Sequence, residues 1–149
     1  MSPTVWHDLN HHLGRRFARN RAWPTVGRFR VVAIDGVELF TQHSTPCADC
    51  RQRTVNQTAE WFHRSVVAST VGIGRRFVLG WEVGLPRDGE AKQEGEQTGA
   101  YRLLDTLFRQ HHHHIDVIVA DALYASPVFI EAVRKHGAEV VIASKRTNG

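Results

Sequence analysis

Apolar and β-branched residues crowd into RFRVVAIDGVELF, which begins at Arg28 and predicts a central strand interrupted only by Asp35. The polar stretch TQHSTPCADCRQRTVNQTAE reads as a loop, and it leads to two further strand signals, WFHRSVVASTVG and RRFVLGWEVG. No helix separates these strands, so they are expected to pair antiparallel; a parallel crossover needs a dozen or more residues. The period then changes. In DGEAKQEGEQTGAYRLLDTLFRQ the positions Ala100, Leu103, Leu104, Leu107 and Phe108 form the stripe of an amphipathic helix. IDVIVADALYA follows as a near-continuous apolar run suited to a strand buried on both faces, with Asp121 at its carboxyl end. Ser126 as cap, Pro127 in the first turn and Gly137 as terminator bracket a second helix. AEVVIASK supplies a last strand. The order β-β-β-α-β-α-β is α/β with a mixed sheet.

The two aspartates carry the first chemical question. A carboxylate within an apolar strand is costly unless something offsets its charge. Asp35 follows VVAI and precedes Gly36, while Asp121 follows VIVA and precedes Ala122. If their strands are neighbours, the two acids converge into a hard-oxygen site suited to Mg²⁺ or Mn²⁺. The plainer alternative is an Asp-Gly turn at Asp35 and a strand cap at Asp121. A phosphatase-type aspartate pair is excluded, since position 37 is Val37.

The segments VVAIDGVELF, CADCRQRTV, WFHRSVVAST, VLGWEVGLPRDGEAKQEGE and IDVIVADALYASPVFIEAV resemble the catalytic domain of DDE transposases of bacterial insertion sequences. The resemblance runs from about residue 28 to 146 and implies an RNase H-like fold. It also implies metal-dependent cleavage and transfer of DNA strands, with Asp35 and Asp121 as the first two catalytic, metal-holding acids. VADALY, with Tyr124 three residues past the acid, resembles the second-acid motif. The family implies a third acid on a helix after the last strand, a place that neither Glu131 nor Glu139 occupies. On that basis the chain is expected to be a partial RNase H-like catalytic domain over 28–149, lacking the C-terminal helix and inactive alone. A non-catalytic or vestigial DNA-binding protein is the alternative. Loss of a covering helix would expose an apolar sheet face, which favours association and predicts a homo-oligomer.

Cys47 and Cys50 form a C-x-x-C pair, and His43 and His63 lie near enough in sequence to complete a zinc site. Two unliganded loop thiols are the competing reading. A disulfide does not suit a cytoplasmic protein, and a redox C-x-x-C belongs at a helix start rather than in a polar loop.

Composition adds less. The 149 residues are 42% hydrophobic and 23% charged, with a formal charge of +4, and contain neither a secretion signal nor a span long enough for a membrane. A cytoplasmic protein is expected. Six arginines, however, fall in one short stretch from Arg15 to Arg30, which begins in residues 1–27, expected to be a basic, flexible lead or the remnant of an upstream element. Arg15, Arg16, Arg19 and Arg21 there, with Arg28 and Arg30 just beyond, suit the phosphates of DNA. Lys145 and Arg146, past the last strand, are further candidates. His111 to His114 are expected to cap a helix end as partly charged imidazoles. Trp61 and Trp81 are expected to pack rather than to stack on bases.

Overall fold

The computed structural model describes residues 3–19, 23–44, 46–84 and 95–143. Among these lie three α-helices and six strands: α1 (Pro3–Arg19), β1 (Val31–Gln42), β2 (Arg51–Val55), β3 (Thr58–Val71), β4 (Val78–Val83), α2 (Glu96–His111), β5 (Val117–Ala120), α3 (Pro127–Lys135) and β6 (Glu139–Ile142). The strands form one sheet in the order β2-β3-β1-β5-β6, with β4 also paired to β3. β1 runs antiparallel to β3 and parallel to β5, and β5 runs parallel to β6. The mixed α/β sheet is therefore the one expected, with its antiparallel half first and its β-α-β half after. No described helix is long and apolar enough to cross a membrane.

Two elements depart from the sequence expectation. Residues 3–19, expected as a flexible lead, form a helix. The polar stretch expected as a loop contains β2, whose arginines are accommodated by ion pairs. Arg53 bonds Glu60 at 2.8 Å and Glu38 at 2.8 and 2.9 Å, so charged side chains hold a strand that apolar burial does not. The β2–β3 turn places Asn56 at φ 49° and Gln57 at φ 63°. Two consecutive left-handed residues match the twist of a tight hairpin, a conformation usually assigned to Asn-Gly or Gly-Gly.

The core lies between the sheet and α2 and α3. Ala100, Leu103, Leu104, Leu107 and Phe108, the predicted stripe, are all buried against Val32, Ile34, Val66, Ala68, Leu79 and Ile118. β5 is buried on one face rather than two: Ile118 and Ala120 are buried while Val117 and Val119 are half-buried. α2 and α3 pack on the face that Val32 and Ile34 share.

Candidate active site

The strand β1 passes straight through Asp35 and Gly36, pairing Asp35 with Val67 and Gly36 with Val66, so no Asp-Gly turn forms. On its other edge β1 pairs Val31, Val32 and Ala33 with Val117, Ile118 and Val119 of β5. Continuing that parallel register sets Asp35 level with Asp121, directly beyond the end of β5. Asp35 thus lies within β1, and Asp121 lies one residue past the carboxyl end of the adjacent parallel strand β5. They are exposed rather than buried, which corrects the expectation of a charge enclosed in the core. Strand alternation explains it: Asp35 points away from the face on which Ile34 meets α2.

Each carboxylate uses one oxygen locally. Asp35 Oδ1 accepts from the Gly36 amide at 2.8 Å, and Asp121 Oδ1 accepts from the Leu123 amide at 2.8 Å, capping the short 3₁₀ turn Ala122–Tyr124. The strand-cap alternative for Asp121 is therefore met, whereas the Asp-Gly turn at Asp35 is not. Among the described residues the second oxygens make no hydrogen bond, and both residues are exposed. The pair fits a divalent cation such as Mg²⁺ or Mn²⁺, which takes one or two protein carboxylates and keeps waters.

The turn after Asp121 is gripped from α2, a feature the sequence did not signal. The Tyr124 hydroxyl donates to Glu96 Oε1 at 2.6 Å, and Gln97 Nε2 donates to the Leu123 carbonyl at 2.5 Å. Glu96 lies against Gly36, where a Cβ would collide with its carboxylate. Burial holds the Tyr124 phenol well above the usual range, reinforced by its bond to Glu96 and by the negative charge of Glu96, Asp35 and Asp121. Three acids therefore surround one buried hydroxyl, with Glu96 on the α2 side of the sheet edge. Tyr124 and Glu96 are positioning residues for the Asp121 turn. Their contact spans chain segments 28 residues apart, beyond any local pattern; a tyrosine just past the acid was the available clue. Tyr124→Phe is expected to cost about 1–2 kcal/mol in denaturant unfolding. A loss below about 0.5 kcal/mol would mean that the clamp contributes nothing to holding the turn.

The second constellation forms in part. Cys47 Sγ lies 3.1 Å from Cys50 Sγ and 3.0 Å from His63 Nε2, and Cys50 Sγ lies 3.4 Å from the same nitrogen. Among the described residues this is the group whose three donor atoms lie within 4.8 Å of one another. His43 is exposed and stands outside it.

The basic candidates separate. Arg15 and Arg16 are exposed on α1, and Arg15, Arg109, His113 and His114 line an open cavity of about 300 Å³. Arg19 belongs to α1, with its side chain outside the description; Arg21, Lys145 and Arg146 lie outside the described residues. Arg30 is paired within the fold: its Nη2 meets Asp116 Oδ1 at 2.6 Å and its Nε meets Oδ2 at 2.9 Å, pinning the start of β1 beside β5. His111 ends α2 as expected, but not as a partly charged imidazole: it is 1% exposed, and burial drives its pKa down to about 4, assisted by nearby His11 and His114.

The fold is a mixed α/β sheet with an acid in β1 and another just past the end of the neighbouring parallel strand β5. The chain belongs to the family described as Transposase DDE domain, which matches residues 27–148. No curated protein matches the chain. Among solved structures, the large terminase of a thermophilic bacteriophage is similar, at 19% identity and a TM-score of 0.38. The match covers 82% of this chain and 25% of that one.

Proposed function

We propose that this chain supplies the metal-holding strands of a DNA strand-cleaving and strand-transferring centre with RNase H-like topology. The observation that carries the reading is the parallel register of β1 and β5, which, extended by two residues, sets Asp35 level with Asp121 just past the end of β5. Family membership supports transposition as the activity and DNA as the partner. Asp35 and Asp121 would hold Mg²⁺ or Mn²⁺. Bound there, the cation would sharpen the attacking oxygen and stabilise the leaving oxygen of an in-line phosphodiester displacement. The chain's own residues supply the positioning. Tyr124, Glu96 and Gln97 fix the turn that aims Asp121, and the absence of a Cβ at Gly36 is what lets the Glu96 carboxylate sit against β1.

Arg15 and Arg16 contact phosphate in this reading, with Arg19, Arg21, Lys145 and Arg146 as further contacts. Each neutralised phosphate steepens the salt dependence of DNA binding. Arg15→Ala and Arg16→Ala are expected to weaken binding evenly across sequences and to lower the log-log salt slope by roughly one each.

Mn²⁺ binding, followed by electron paramagnetic resonance, tests the centre. Asp35→Asn and Asp121→Asn are each expected to weaken it about tenfold or more, a difference of about 1.4 kcal/mol. Mn²⁺ affinity unchanged in the double variant would overturn the assignment. DNA binding that needs neither acid nor divalent metal, accompanying that result, would favour the non-catalytic DNA-binding alternative.

A further inference from the structure

We propose that Cys47, Cys50 and His63 form a structural zinc site that ties the β1–β2 connection to β3, with the fourth coordination position facing solvent. The site is separate from the aspartates and does not depend on the transposase reading.

The backbone brings the three donors together before any metal is considered. Cys47 and Cys50 flank a tight turn in which the Cys50 amide donates to the Cys47 carbonyl at 3.2 Å. Directly after it, Arg51 opens β2 opposite Phe62 of β3, which sets Cys50 beside His63. His63 in turn pairs with Phe40 of β1, so β3 carries the imidazole between the two other chain segments. The donor atoms stand 3.0–3.4 Å apart. A tetrahedral zinc with bonds of about 2.0–2.3 Å separates its ligand atoms by roughly 3.4–3.8 Å. An outward relaxation of a few tenths of an ångström therefore admits the ion.

The donor chemistry selects zinc. Two thiolates and an imidazole are soft and borderline donors that suit tetrahedral Zn²⁺ rather than Mg²⁺ or Ca²⁺. Two thiolates also neutralise the ion's charge. The Cys47 amide donates to Cys50 Sγ at 3.2 Å, a bond that favours the thiolate form the metal requires. A redox role fits less well, since the pair occupies a turn between strands and not the first turn of a helix.

The location explains why a metal would matter. β2 has five residues, of which only Arg51 is buried, so apolar packing contributes little to holding it. What secures the hairpin is polar: the Arg53 ion pairs, and the guanidinium groups of Arg51, Arg53 and Arg64 within 4.8–5.9 Å of the Phe62 ring centre. A zinc at the open end of that hairpin would close it, because the metal's binding energy becomes folding energy. Cys47 is exposed, which gives the ion a path in and leaves its fourth position to water.

The test uses the full chain purified without a nickel column, then dialysed and loaded with Zn²⁺ or Co²⁺. About one tightly held metal per chain is expected. The Co²⁺ form should show intense tetrahedral bands and a thiolate charge-transfer band, which separates this site from imidazole binding at His111–His114. Cys47→Ser, Cys50→Ser and His63→Ala should lose that spectrum, while His63→Cys and His43→Ala should keep it. Should the cysteine variants fail to fold, alkylation of the wild-type protein decides: Zn²⁺ should slow modification of both thiols at least about tenfold. Absence of the thiolate band together with unchanged alkylation overturns the site, as does a metal-free disulfide found by mass measurement. Loss of metal in His43→Ala overturns the three-ligand set.

Discussion

Phe129→Ala loses about 3–5 kcal/mol of unfolding free energy, the cost expected for emptying a fully buried aromatic position. Phe129 is 0% exposed, and its ring lies 5.0 Å from Tyr124 and 6.2 Å from Tyr101. It is the point at which α3 packs on both the Asp121 turn and α2. A domain has about 5–15 kcal/mol in total, so the variant falls near the limit of folding at ordinary temperature. Denaturant unfolding of the wild type and variant, compared at equal slope, measures it. A loss under about 1.5 kcal/mol would mean that the site collapses around the missing ring.

Acid should weaken the fold through His111. Its pKa is lowered from 6.5 to about 4 by burial, so the folded protein resists a proton that the unfolded chain accepts. The unfolded state therefore binds more protons between these values, and stability falls as pH drops. The contribution is complete above about pH 6.5 and largely lost by pH 4, a change of about 3 kcal/mol. Both ring nitrogens are buried and have no hydrogen-bond partner among the described residues, between Trp23, His11, His114 and the backbone at Gly14. His111→Leu removes the titration and the unsatisfied atoms together. Stability measured at pH 7 and pH 4 should fall about 3 kcal/mol further in the wild type than in His111→Leu. Equal pH dependence in the two proteins would show that protonation of His111 is not resisted by folding.

What the sequence made legible follows from local physics. The stripe in α2 and the Ser126-Pro127 start of α3 are periodicity and capping, and both elements stand where expected; Ser126 Oγ accepts from the Phe129 amide at 3.2 Å. The two acids were visible because a charge within an apolar strand is conspicuous. Their exposure was not, since alternation does not tell which face a helix covers. β2 was hidden because RQRTV lacks an apolar face, its strand character coming from cross-strand ion pairs at Glu38 and Glu60. Its turn was hidden because Asn56-Gln57 carries no glycine. The clamp by Glu96 and Tyr124 is tertiary and leaves no local trace, and the burial that keeps the helix-end His111 uncharged was hidden for the same reason.

The level shared by Asp35 and Asp121 has a consequence for how this domain can diverge. Their proximity is set by main-chain ladder bonds between β1 and β5 and not by the rotamers of neighbouring side chains. Apolar residues along these strands can therefore be exchanged for others of similar size without moving the acids apart. A single inserted or deleted residue between Val31 and Asp35, or between Val117 and Asp121, would turn one carboxylate to the opposite face. Descendants of this sequence are expected to drift freely in composition along both strands while keeping the length from ladder to acid fixed.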